Sequence, residues 1–141
     1  MASWAEFTKT EPEFAELVRK CFARNKHAFL ATIRRDGSPR LSGIDPEFTG
    51  GELVIGSMTG AMKTRDLLRD PRFALHSTSS DQTMAEGDAK VRGTMVRRES
   101  TKDGDTFVAD ITEAVRITVE GDELVIVSWH EGRGISRAVR K

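Results

Sequence analysis

A chain of 141 residues with 38% hydrophobic and 31% charged side chains has the length of one domain, taken here as residues 1–141. It holds enough apolar material to bury a core without disulfide or metal staples. Twenty-two basic side chains balance twenty-two acidic ones, so the overall positive field of a nucleic-acid binder is missing and no nucleic-acid partner is expected. The single Cys21 has no partner for an internal disulfide. Neither a charged-then-apolar leader nor a run of about 18 apolar residues occurs, so the expected setting is cytoplasmic with no membrane partner.

The first element is helical. Thr10 and Glu13 have capping-box spacing, and Phe14, Leu17, Val18, Cys21 and Phe22 recur at helical intervals, which predicts a helix from about 11 to 25 with one face on the core. Cys21 lies inside that stripe and reads as a buried, inert thiol. From Ala28 the pattern changes to short β-rich runs: Ala28 to Ile33, a turn over Arg35-Asp36-Gly37-Ser38, then Arg40 to Phe48, whose later half Pro46 confines to an edge or bulge. Gly50-Gly51 turns the chain into a third strand, Glu52 to Met58.

Residues 59 to 70 read as a short helix that Asp70-Pro71 stops, because a residue before proline avoids the helical region. A strand over Arg72 to Ser77, a polar loop over 78–88 and a half-exposed strand over Ala89 to Arg98 follow. Residues 99–105 read as a charged connection, and Phe107, Val108, Ile111 and Val115 predict one short helix. Val115, Ile117 and Val119 then lead through Gly121-Asp122 into Leu124 to Trp129 as a closing hairpin, and the basic stretch His130 to Lys141 reads as a solvated end. About six or seven strands at hairpin spacing with a few short helices make a mainly β fold, a small antiparallel β-barrel.

Most catalytic constellations are absent. His27, His76 and His130 lie about fifty residues apart without paired ligands, so no metal site is assigned, and Walker, Rossmann and nucleophile-elbow patterns do not occur. No catalytic residue is assigned. The segment Gly56-Ser57-Met58-Thr59-Gly60-Ala61-Met62-Lys63-Thr64-Arg65 stands out, because it puts hydroxyls, glycines and two cations where a strand ends and a helix begins. Helix-start N–H groups, hydroxyl donors and charge-assisted bonds from Lys63 and Arg65 would hold a terminal phosphate, although the same pattern also serves as an ordinary helix start.

In Phe29-Leu30-Ala31-Thr32-Ile33 with Asp36-Gly37-Ser38-Pro39-Arg40, in Ser57…Lys63…Leu67…Asp70-Pro71-Arg72, and in Ser128-Trp129-His130-Glu131-Gly132-Arg133-Gly134, the chain resembles the pyridoxamine 5′-phosphate oxidase-like, FMN-binding split-barrel proteins. The ending is similar to the small actinobacterial-type members, some of which bind a deazaflavin. The resemblance covers nearly the whole chain and implies a split β-barrel and a homodimer with two cofactors at the subunit interface. By position it places Ser57, with Met58 beside it, and Lys63 near the flavin phosphate and ring. Thr64 and Arg65 join them on the phosphate side, and Arg40, Leu41 and Ser42 fall on the strand lining the ribityl and phosphate region. Trp129 resembles a tryptophan that approaches the flavin from the other subunit. Met62 stands where an arginine is common, which leaves Arg65 or Arg40 to compensate at the phosphate; the chain has no tyrosine and is shorter than a true pyridoxamine phosphate oxidase, so vitamin B6 oxidation is not expected. The implied activity is a hydride exchange between bound FMN, or alternatively an 8-hydroxy-5-deazaflavin coenzyme, and a small or planar substrate. The alternative is a flavin- or haem-binding protein on the same barrel without turnover.

Overall fold

The computed structural model describes residues 1–141. Its elements in chain order are β1 Ala2–Ser3, α1 Trp4–Thr10, α2 Pro12–Arg24, β2 Ala28–Ile33, β3 Pro39–Ile44, β4 Glu47–Thr49, β5 Glu52–Ser57, α3 Met62–Arg69, β6 Arg72–Ser77, β7 Asp88–Thr101, β8 Gly104–Glu120, β9 Glu123–His130 and β10 Gly134–Arg140. Every strand pairing is antiparallel. The path β10-β9-β8-β7-β6-β2-β3 forms most of the wall, and β5, which carries β4, joins along the other edge of β8. No backbone pairing connects β3 to β4 or β5, so the barrel is split there. No helix is long and apolar enough to cross a membrane.

The helices form because their apolar residues recur on one face. In α2, Phe14, Ala15, Val18, Cys21 and Phe22 are buried, and Pro12 sits at the first helical position, where its missing N–H costs nothing. α1 was not anticipated. Its capping box is Ser3 with Glu6, while Thr10 donates instead to the Phe7 carbonyl, so the box expected at Thr10 and Glu13 is displaced one helix upstream. Phe7, fully buried, meets Trp4 at 5.1 Å, Phe14 at 6.1 Å and Trp129 at 4.5 Å between ring centroids, so α1 and α2 join the core through one aromatic cluster.

Three expectations are corrected. The short helix expected around Phe107 to Val115 is the middle of β8: Asp105, Phe107, Ala109 and Ile111 are buried alternately, a period of two. The stretch expected as a connection at 99–105 is the hairpin tip between β7 and β8. The tail is also ordered, because β10 pairs with β9 from Gly134 opposite His130 to Arg140 opposite Leu124. Pro46 acts as read, dividing the expected second strand into β3 and β4.

Candidate functional site

At the split, the ends of β2 and β3, the β4–β5 ribbon and the start of α3 enclose an open groove of about 720 Å³, a size suited to a small molecule or cofactor. Its floor and sides come from His27, Ala28 and Phe29 of the β2 end, Gly43, Ile44 and Asp45 of the β3 end, and Val54, Gly56 and Ser57 of β5, with Lys63 and Thr106. Two glycines sit in the regular strands of this wall. Neither Gly43 nor Gly56 has a positive φ, and no heavy atom lies within 4 Å of where a Cβ would stand on either. The backbone therefore does not require glycine at these positions, and the space a side chain would take is left open along the groove wall.

The charged groups of the groove divide by position. Asp45 is met by His27, with Nδ1 2.6 Å from Oδ1, and by Lys26 at 3.8 Å. Lys63 has no ion-pair partner. Thr64 donates to the Ser57 hydroxyl at 2.8 Å, and both groups are buried, so Thr64 fastens the first turn of α3 to the end of β5. Between them, Ala61 N–H donates to the Met58 carbonyl and Gly60 takes a positive φ of 77°, a turn that delivers Lys63 to the groove.

The other face of α3 borders a second cleft, of about 510 Å³. Met62, Arg65, Asp66 and Arg69 share that face at intervals of three and four, and the β2–β3 turn supplies Arg34, Arg35 and Asp36, with Arg40 from β3. Asp66 is 1% exposed and accepts bonds from Thr32 at 2.8 Å, Arg40 Nε at 2.7 Å and Arg69 at 3.0 Å. Burial pushes its carboxyl up, but the bonds from Arg40, Thr32 and Arg69 outweigh burial and hold it below the ordinary aspartate value.

The structure thus brings Ser57, Met58 and Lys63 to the groove and sets Arg40 and Arg65 in the second cleft. Leu41 points to the outer surface, 73% exposed, and Ser42 lies opposite Leu30; the part of β3 that lines the groove is Gly43 and Ile44, further along than the 40–42 stretch. Trp129 is a core residue of its own chain, 5% exposed and packed on Phe7, so its ring has no face free for a ligand. Gly43, Asp45 and Thr106 line the groove without having been singled out in the sequence, where Gly56 stood only as part of the 56–65 segment. The two strand glycines were the available signal, since glycine inside a strand marks either a bulge or a close approach.

A family model described as pyridoxamine 5′-phosphate oxidase matches residues 14–127. No curated protein sequence matches the chain. Among solved structures, the chain is similar to PhzG from Burkholderia lata 383 in complex with tetrahydrophenazine-1-carboxylic acid, with TM-score 0.72 and 10% identity over 96% of this chain and 91% of that one. A pyridoxamine 5′-phosphate oxidase-related, FMN binding protein from Nostoc punctiforme gives TM-score 0.68 and 9% identity over 93% and 96%. An F420 reductase gives TM-score 0.58 and 19% identity over 68% and 94%. At these identities the structures speak for the fold, and the family model, spanning most of the chain, for descent. The split sheet and the matched segment together place the chain in the pyridoxamine 5′-phosphate oxidase-like, FMN-binding split-barrel family.

Proposed function

We propose that the chain is a flavin-type oxidoreductase that holds FMN in the groove at the split and works as a homodimer. The observation that carries this reading is the pair of strand glycines, Gly43 and Gly56, whose missing side chains leave a flat cradle beside an unpaired lysine. Bound there, the cofactor would supply hydride exchange, and the protein would supply position, hydrogen bonds and exclusion of water. Lys63 would meet the phosphate as a point charge, and the Ser57 hydroxyl, having accepted from Thr64, keeps its own hydrogen to donate. Membership of a family that includes FMN binders supports the reading.

The second copy has a surface to cover. Phe29 is 52% exposed and Leu41 73%, and the register places Ala31 and Ala74 in line with Leu41 on the same outer face of β3, β2 and β6. Phe29 also lines the groove, so a partner seated on this strip would close the cofactor site from outside, as a homodimer with its cofactors at the interface requires.

Titration of the purified protein with FMN and with an 8-hydroxy-5-deazaflavin, followed by absorbance and quenched fluorescence, tests the reading. The expected outcome is one FMN per chain, with Lys63→Ala weakening it by about 1.5 to 3 kcal/mol, the usual worth of a hydrogen bond to a charged group. Preference for the deazaflavin would move the chain to that cofactor. Bound cofactor that no NAD(P)H or reduced deazaflavin can reduce would mark a binding protein, and unchanged affinity in Lys63→Ala would remove the phosphate from that side of the groove.

A further inference from the structure

We propose that the arginine cleft between the β2–β3 turn and α3 is a second anion site, separate from the groove, that takes the diphosphate group of a small molecule. The cleft is lined by five arginines against two aspartates, with Met62 as its one apolar member. Both carboxylates are already engaged. Asp36 accepts from the backbone and hydroxyl of Ser38 within its own turn, and Asp66 is taken up by Thr32, Arg40 and Arg69.

What remains is positive charge without a counterpart. Arg34, Arg35 and Arg65 form no ion pair, whereas Arg19, Arg24, Arg72, Arg92 and Arg98 each pair with a surface carboxylate. Arg97, Arg116, Arg133, Arg137 and Arg140 form no ion pair either, so what marks Arg34, Arg35 and Arg65 is that they gather around one cleft. Asp66, next to Arg65 in sequence, points inward and organises the cleft. It binds Arg40 through Nε alone, so both terminal nitrogens of a guanidinium whose side chain is only 20% exposed stay free toward the cleft.

Such a fork, held from behind by a buried carboxylate, is suited to two-point contact with phosphate oxygens. Three unmatched guanidinium charges correspond to the charge of roughly three that a diphosphate carries near neutrality, which selects a diphosphate over a single carboxylate. The balanced charge of the whole chain and the confined volume of the cleft, about 510 Å³, favour a small ligand over a polynucleotide.

Calorimetric titration of the full chain with inorganic pyrophosphate at physiological salt is the test. One pyrophosphate should bind per chain, whether or not saturating FMN is present. Arg65→Gln and Arg34→Gln, which alter exposed side chains without bonds to lose, should each weaken it about tenfold or more. Arg97→Gln, an unpaired arginine on β7, should leave it unchanged. Absence of saturable heat overturns the proposal, as does loss of binding when FMN is added, because the anion would then sit in the groove. Equal weakening by Arg97→Gln, or tighter binding of a short DNA duplex than of pyrophosphate, overturns it too, by reducing the site to general surface charge. The outcome does not depend on whether FMN itself binds.

Discussion

The wall built from β6 to β9 and the wall built from β2, β3 and α3 are held together by different forces. In the first, β7 and β8 run side by side for most of their length, and Val91, Met95, Phe107, Ala109 and Ile111 close over an apolar interior. In the second, β3 has a neighbour on one side only, and polar bonds fasten α3: Thr64 to Ser57, and Asp66 to Thr32 and Arg40. Apolar burial is non-directional and resists unfolding, while buried hydrogen bonds fix angles. Both clefts lie along the wall that is held by angle, where pinned side chains can present donors to a ligand.

The largest effect should come from the first wall. A Cβ on Gly93 would stand 1.8 Å from the Asp110 carbonyl oxygen, beside the bulge where Thr112 is the extra residue of β8. Gly93→Ala must therefore move backbone, and urea unfolding should show a loss of about 3 kcal/mol or more. A loss below about 1 kcal/mol would mean the bulge has slack, and the contrast between the walls would weaken.

Asp66→Asn comes next. It leaves Arg40 and Arg69 facing a neutral amide in a buried setting, and a loss of about 2 to 3 kcal/mol is expected from thermal or urea unfolding. The wild type provides the matching pH test. Because the folded carboxyl lies below the ordinary value of 3.8, its contribution is complete above the unfolded value and is lost as pH falls through the lower folded one. Stability of Asp66→Asn should thus approach that of the wild type only in acid, below about pH 4, where the unfolded carboxyl protonates first. A constant difference down to pH 2 would show that the contribution of Asp66 is not electrostatic.

The smallest effect on the single chain should come from the outer strip. Leu41→Glu removes an exposed side chain and should change unfolding free energy by no more than about 0.5 kcal/mol. Light scattering should nevertheless show the loss of the second copy, since a charge placed in an apolar interface must be desolvated without a partner. A variant that remains dimeric would move the interface elsewhere.

Much of the fold was legible because its signals were strong. The α2 stripe, the Asp36-Gly37 and Gly121-Asp122 hairpins and the Asp70-Pro71 stop all fall where local chemistry places them. β8 was misread because Val108 faces outward next to inward Phe107, and Asp105 and Ala109 mask the alternation that an all-apolar face would have displayed. β10 escaped because Arg137 lies between Ile135 and Val139 on one face and the strand is exposed throughout most of its length; only pairing with β9 orders it. In the site, Ser57 and Lys63 were visible at a strand-to-helix junction. The division of Lys63 from Arg65 was not, because two residues on a short helix point about 200° apart only once the helix and its flanking strands are in place.

β8 borders β5 at residues 105–108, β1 at 110–111 and β9 at 113–120, all while pairing with β7 along its opposite edge. It works as a common ruler. One residue inserted within it would exchange inside for outside in its pairing with every neighbour beyond that point. Changes of chain length are therefore accommodated most easily at its two end turns, Lys102-Asp103 and Gly121-Asp122, whereas the 78–87 loop is itself tied to β8, with Val119 N–H donating to the Met84 carbonyl and Arg116 to that of Glu86.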